Sequence, residues 1–148
     1  MMAGYSPDVP ELEGKGGHAG VSSQVAAVVD FYGPYDLTVP FARTNGAVKA
    51  FLSGKTYEEA AELFWQASPA KYLKAGAPPT LIFHGTIDEV VPVDQADALA
   101  RRLKELKAPF VYDRLEGWPH TMDLAEAINE RCQLLMCRFL DEHLPRPK

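Results

Sequence analysis

Hydrophobic and polar positions are arranged in blocks along the chain, and three of these blocks predict β-strands. Residues 25–32 (VAAVVDFY) and 80–84 (TLIFH) are short, almost continuous apolar runs bounded by glycine and proline. Runs of this kind are typical of strands in a parallel sheet that is covered on both faces. Residues 110–112 (FVY), directly after a proline, predict a third strand.

Between and after these strands, the polar pattern predicts helices. Residues 45–53 and 57–67 are expected to form two short helices, and Ser68-Pro69-Ala70 begins another short helix or turn. A longer helix follows Pro92 and has apolar residues at three- and four-residue spacing. These are Val93, Ala96, Leu99, Leu103 and Leu106. A last helix is predicted over residues 123–142, with one apolar side made by Leu124, Ile128, Leu135 and Phe139.

Strands that alternate with helices predict one α/β domain over residues 1–148, with about three parallel strands and flanking helices. Residues 1–24 are expected to be loop. No upstream segment of this chain is predicted to pair with the strand at residues 25–32. An open edge of that kind favours association. We therefore expect a homo-oligomer or a swapped dimer that forms through this edge.

Composition and charge exclude some classes of partner. The chain is 47% hydrophobic and 24% charged, and its net charge is -5. A nucleic-acid or acidic-membrane partner requires clustered Lys and Arg, so neither is expected. No apolar run approaches the roughly 18 residues of a membrane span. Cys132 and Cys137 lie too far apart around a helix to bridge each other, and both are expected to be buried free thiols.

The candidate chemistry lies in two loops that follow predicted strands. Asp88 comes just beyond the strand at residues 80–84, and His120 follows the strand at residues 110–112. In parallel sheets the loops at the carboxyl ends of the strands meet at one edge. A carboxylate that orients an imidazole there is two-thirds of a hydrolytic triad. Alone, Asp88 is more typical of an ordinary loop or helix-cap carboxylate, and His120 is equally typical of a hydrogen-bonded loop histidine.

The segments around these residues resemble a known family. Residues 79–88 (PTLIFHGTID) are similar to the acid-bearing region of α/β-hydrolase-fold esterases, and residues 117–120 (GWPH) to their histidine loop. Residues 28–37 (VVDFYGPYDL) and 68–72 (SPAKY) resemble the bacterial esterase and lipase branch that includes feruloyl and acetyl esterases. The resemblance implies the C-terminal part of an α/β-hydrolase fold, in which Asp88 is the acid and His120 the base.

The same resemblance implies a serine nucleophile, which this chain does not provide. No serine lies in the G-x-S-x-G pattern of the family. We therefore expect an N-terminally incomplete chain that is inactive alone. Its first residues do not resemble a signal peptide, but an incomplete start leaves the compartment open. The family further implies an ester substrate, no metal or organic cofactor, substrate contacts from Tyr35, Val91 and Trp118, and a variable cover at residues 36–67.

Other interpretations stay open at this point. His84 is expected to be a structural residue at a strand end, whereas His18 and His143 are expected in a loop and near the terminus; no pair of these has metal-ligand spacing. Peptidases and arylformamidases of the same fold fit the motifs as well. A different class fits the missing nucleophile: a non-catalytic interaction module, derived from a hydrolase, that associates through its open sheet edge.

Overall fold

A three-stranded parallel sheet organises the structure, a computed structural model that describes residues 1–14, 16, 18 and 20–144. The strands are β1 (Val28–Phe31), β2 (Thr80–Gly85) and β3 (Phe110–Leu115), in the spatial order β1-β2-β3. Both pairings are parallel. The helices are α1 (Met2–Tyr5), α2 (Pro40–Thr44), α3 (Gly46–Phe51), α4 (Tyr57–Gln66), α5 (Asp94–Glu105) and α6 (Glu126–His143). The α/β class with three parallel strands is confirmed.

Strand lengths follow from where each ladder can form. β1 is shorter than the predicted residues 25–32, because it pairs only with the part of β2 that begins at Thr80, after two prolines that lack N–H groups. At its other end, Tyr32 has a positive φ of 42° and leaves the sheet. β1 also alternates between buried and half-buried residues, whereas every residue of β2 is buried. The expected burial on both faces therefore holds for the central strand alone.

Helices cover both faces of the sheet. On one face α5 packs Ala96, Leu99 and Leu103 against Val28 and Ile82, which confirms the centre of the predicted apolar stripe. Val93 and Leu106 lie just outside the two ends of the helix. On the other face α6 packs against β2 and β3. Its contacts there involve Leu81, Phe83, Leu115, Ile128, Cys132 and Phe139. The sheet thus lies between two apolar layers, and β2 is at the centre of both.

Residues 36–67 form a helical segment with a small core of their own. α3 and α4 match the two predicted helices, and α2, which begins at Pro40, was not predicted. Five buried side chains make this core: Leu37, Ala42, Val48, Leu52 and Phe64. The buried hydroxyl of Ser68 donates to the carbonyl of Phe64 at 2.7 Å and accepts from the N–H of Leu37 at 2.8 Å. That hydroxyl therefore links the beginning of the segment, at Leu37, to its end, at Phe64.

Two terminal regions differ from the prediction. Met2–Tyr5 is a short helix rather than loop, and the Tyr5 hydroxyl lies 2.9 Å from Thr80 Oγ1 in the core. The last helix starts at Glu126, because Thr121 has a left-handed backbone and a 3-10 turn precedes the helix. Leu124 lies in that turn and is 82% exposed, so it does not belong to the apolar side of the helix. Cys137 is exposed, contrary to the expected burial of both thiols.

In the described part of the chain, β1 and β3 each pair with β2 alone, so both outer edges of the sheet are open. The edge for which association was predicted is that of β1. Self-association through this edge stays a prediction, which light scattering of the purified chain tests; a strictly monomeric species would contradict it. Across the described residues, no helix combines the length and apolarity that crossing a membrane requires.

Candidate active site

Asp88 lies in the loop after β2, and its carboxylate is fully buried and well supplied with donors. Oδ1 accepts the backbone N–H groups of Val90 and Val91, both at 2.8 Å. Oδ2 lies 2.7 Å from Nδ1 of His120. The carboxylate side chain is 0% exposed and the imidazole 26% exposed. Hydrogen bonds from N–H groups stabilise a buried carboxylate, so this environment suits a charged acid that faces an imidazole.

The loop that carries His120 is held against the end of β2 by backbone contacts. The carbonyl of Trp118 accepts the N–H of Ile87 at 3.1 Å, and Thr86 Oγ1 accepts the N–H of Gly117 at 2.8 Å. A Cβ atom at Gly85 would lie 2.1 Å from that Trp118 carbonyl oxygen. Only glycine therefore allows the two loops to approach closely enough for the contact between His120 and Asp88.

Because Nδ1 of His120 faces Asp88, its Nε2 is the nitrogen left for chemistry. His120 lines a cavity of about 500 Å³. The ring of Tyr32 lies 4.3 Å from the imidazole, measured between centroids, and its hydroxyl donates to Asp123 at 3.0 Å. Burial, and then this bond to a carboxylate, raise the pKa of Tyr32. Sequence reasoning missed Tyr32, although its position just after β1 was a usable signal.

The cavity lies between the sheet edge and the helical segment at residues 36–67. Of the predicted substrate-contacting residues, Val91 lines it, next to Val90. Tyr35 is instead buried in the core beside α5, and Trp118 packs against the α6 layer. The structure therefore does not bring Tyr35 or Trp118 to the cavity. Other apolar lining residues are Phe31, Leu37, Phe41, Val48 and Phe51.

Two buried polar residues at the strand ends were not predicted to belong to the site. His84, at the end of β2, directs Nε2 toward the carbonyl of Val91 at 2.8 Å and toward Asp88 Oδ2 at 3.3 Å. Asp30, near the end of β1, lines the cavity, and its Oδ2 has no hydrogen-bond partner. Burial raises the pKa of Asp30. A polar residue inside an apolar run was the signal in both cases.

A metal site is not evident in this arrangement. Among residues 1–14, 16, 18 and 20–144, no group of three or more His, Cys, Asp or Glu side chains is placed to bind an ion. His18 and His143 lie away from the cavity, in a loop and at the end of α6. The geometry is that of an acid–histidine pair beside an apolar cavity.

Comparison with known proteins identifies the family of this chain. The BD-FAE family model matches residues 1–103. Esterase LipC of Mycobacterium tuberculosis is 33% identical over 127 residues, which cover 82% of this chain and 30% of the relative. Esterase LipQ of the same organism is 31% identical over 140 residues, which cover 88% and 31%. The chain thus spans about a third of the length of these relatives.

Solved structures agree on the fold. Thermogutta terrifontis esterase 2, phosphoramylated by tabun, matches with a TM-score of 0.68 and 25% identity, over 95% of this chain and 50% of that one. An acetyl ester-xyloside bifunctional hydrolase from Caldicellulosiruptor lactoaceticus matches with a TM-score of 0.72 and 24% identity, over 95% and 51%. The chain belongs to the BD-FAE family, and its three parallel strands with flanking helices are part of an α/β-hydrolase fold of the esterase type.

Proposed function

We propose that this chain supplies the acid and the histidine of a serine-dependent carboxylic ester hydrolase. One observation carries the proposal: the 2.7 Å contact between His120 Nδ1 and Asp88 Oδ2, at the edge of an apolar cavity. The described relatives are esterases. They do not favour the alternative of a non-catalytic interaction module.

In the proposed reaction, Asp88 fixes the tautomer of His120 so that Nε2 is free to accept a proton. A serine hydroxyl loses its proton to Nε2 as its oxygen attacks the ester carbonyl, and Asp88 stabilises the imidazolium that forms. His120 then gives that proton to the departing alcohol, and water releases the acid by the reverse sequence. Backbone N–H groups of an oxyanion hole stabilise the tetrahedral oxygen. The mechanism uses no metal or organic cofactor.

The serine is proposed to come from outside this chain. Four of its five serines are hydrogen-bonded elsewhere: Ser6 to Met2, Ser22 to Asp8, Ser23 to Glu13 and Ser68 to Phe64. The fifth, Ser53, is exposed in the turn after α3 and has a positive φ of 58°. The chain also covers only about half of the related structures, which leaves room for a nucleophile in another segment.

The cavity supports a small ester as the substrate. Its volume of about 500 Å³ falls within the roughly 300–1,000 Å³ of typical ligand pockets. Much of its wall is apolar and comes from residues 36–67, which we propose to be a variable cover over the acyl group. Val91 contributes to the same wall. Short-chain or plant-derived carboxylic esters fit such a pocket, in line with the acetyl ester named for one structural relative.

Reconstitution tests the proposal. The chain is combined with an N-terminal segment of a family member that supplies the serine, and hydrolysis of p-nitrophenyl acetate is measured. We expect activity that falls by about 10⁴-fold in His120→Ala and by a similar factor in Asp88→Asn. His143→Ala, a histidine change at the C-terminal end of α6 and outside the lining of the cavity, is the matched control and should keep full activity.

Labelling of the chain alone tests the origin of the serine. A fluorophosphonate should leave the intact mass of the purified chain unchanged. An adduct that disappears in His120→Ala would show that a serine within the chain is activated, contrary to the proposal. If reconstituted activity proves indifferent to His120→Ala and Asp88→Asn, the assignment of the pair is wrong.

A further inference from the structure

His84 makes two contacts that bear on the site, although it does not reach the cavity. Its side chain is 0% exposed at the end of β2. Nε2 lies 2.8 Å from the carbonyl oxygen of Val91, and since a carbonyl only accepts, Nε2 carries the ring proton. The same nitrogen lies 3.3 Å from Asp88 Oδ2. This is the oxygen that faces His120.

These contacts hold the loop that carries Asp88 through both its backbone and its carboxylate. Val91 donates its N–H to Asp88 Oδ1 at 2.8 Å and offers its carbonyl to His84. The loop that holds the carboxylate is therefore itself held by the imidazole of His84. Without that donor, a buried carbonyl has no partner, and the carboxylate is free to rotate away from His120.

A buried imidazole at this position is destabilising unless its ring nitrogens make specific contacts. Nδ1 of His84 is buried and has no hydrogen-bond partner in the structure. Buried polar atoms are nearly always paired, so an unpaired one calls for a specific reason. An aliphatic side chain would fill the same core space without that unpaired atom. The hydrogen bond that needs a ring nitrogen is the donation from Nε2 to the carbonyl of Val91, beside Asp88 Oδ2.

We propose that His84 is a positioning residue for the Asp88–His120 pair. It acts through the carboxylate: its Nε2–H fixes the loop at Val91 and keeps Asp88 Oδ2 directed at His120 Nδ1. The inference rests on the proposed function, since it concerns the same acid and histidine. In this role His84 contacts neither the substrate nor the nucleophile.

The test compares two amides of different reach in the purified chain. The amide nitrogen of His84→Gln extends to about the position of Nε2, whereas that of His84→Asn stops near Nδ1. The readout is the tautomer of His120, from the ¹⁵N shifts of its ring under conditions in which it is neutral. We expect the Nδ1–H tautomer to dominate in wild type and His84→Gln. In His84→Asn its ratio to the Nε2–H tautomer should fall about tenfold, as expected from losing one hydrogen bond.

Thr80→Val controls for a merely structural effect. Thr80 is a fully buried polar residue at the other end of β2, and it is hydrogen-bonded to Tyr5. Its loss should lower the urea midpoint and leave the tautomer of His120 unchanged. If His84→Asn behaves in the same way, or if His84→Gln loses the tautomer as completely as His84→Asn, the positioning role is wrong.

A crystal structure of His84→Gln gives a second measurement that does not depend on the folding of the asparagine variant. The amide nitrogen should lie within hydrogen-bond distance of the Val91 carbonyl, with Asp88 still facing His120. A carboxylate turned away from His120 in spite of that bond would overturn the proposal. Neither readout needs a substrate, so an absence of ester hydrolysis would contradict the proposed function without deciding this one.

Discussion

The ends of β1 and β2 each hold a buried aspartate, but the two carboxylates have very different surroundings. Asp88, beyond β2, has donors on both oxygens: two backbone N–H groups on Oδ1 and an imidazole on Oδ2. Asp30, near the end of β1, has one oxygen with no partner. Burial is similar, since Asp88 is 7% and Asp30 6% exposed. The difference lies in the donors alone.

This contrast shows what a buried carboxylate at a strand end requires beyond its position. A carboxylate removed from water keeps its charge only where N–H donors replace the lost hydration. The loop after β2 provides them from its own backbone and from His120. At Asp30 burial dominates and raises the pKa, although the Met1 amino group, the Gly33 N–H and His84 act in the opposite direction. The carboxylate at the end of β2 therefore has donors on both oxygens, whereas the carboxylate at the end of β1 has an oxygen without one.

The largest effect is expected from removing the supported carboxylate. Asp88→Ala leaves the N–H groups of Val90 and Val91 and the imidazole of His120 without their acceptor. At about 1–3 kcal/mol for the buried N–H of Val91, and less for each of the two part-buried groups, we expect the free energy of unfolding to fall by about 3 kcal/mol. Urea denaturation measures it.

Asp36→Ala is the matched control for that change. Asp36 also accepts a backbone N–H two residues ahead, that of Thr38 at 2.8 Å, but it lies in a half-buried loop. Its removal should cost about 1 kcal/mol or less. Equal losses in the two variants would mean that the support around Asp88 has no special weight.

One glycine beside each of the two aspartates extends the comparison: Gly85, three residues before Asp88, and Gly33, three residues after Asp30. A Cβ at Gly85 would meet the backbone carbonyl of Trp118 at 2.1 Å, whereas a Cβ at Gly33 would meet a carboxylate oxygen of Asp30. A backbone can yield only if the whole His120 loop moves, but a side chain can rotate. We expect Gly85→Ala to cost about 2–3 kcal/mol and Gly33→Ala about 1 kcal/mol, both measured by urea denaturation.

The contact between His120 and Asp88 should be lost in Gly85→Ala and kept in Gly33→Ala. The ¹⁵N tautomer measurement on His120 separates the two variants, because Gly85→Ala displaces the loop that carries the imidazole. A Gly33→Ala variant that is as unstable as Gly85→Ala, with the same change at His120, would show that the two strand ends are equally rigid.

Sequence reasoning reached the elements with strong patterns and missed contacts that arise only in the folded chain. β2 was predictable because a continuous apolar run between prolines and a glycine indicates a buried strand. α5 was predictable because apolar residues at three- and four-residue spacing indicate an amphipathic helix. The pairing of Asp88 with His120 followed from their place after neighbouring strands. Leu124 was misassigned because nothing in the pattern shows the left-handed backbone of Thr121 that delays α6. The contact of His84 with Val91 was not predictable, since it depends on how the loop folds back over the strand.

The smallest effect concerns the unsupported carboxylate and depends on pH. The folded chain holds the proton on Asp30 more tightly than the unfolded chain, whose aspartates titrate near 3.8. Stability attributable to Asp30 is therefore highest below pH 3.8 and falls as the pH rises toward its raised folded pKa. Asp30→Asn cannot ionise, so at about pH 7 it should be more stable than wild type by about 1 kcal/mol, the order of one unsatisfied buried group. That advantage should vanish at acid pH. The difference in urea unfolding free energy between the two proteins, followed across this range, measures the effect. A difference that stays constant with pH would show that the surroundings of Asp30 do not disfavour its charge.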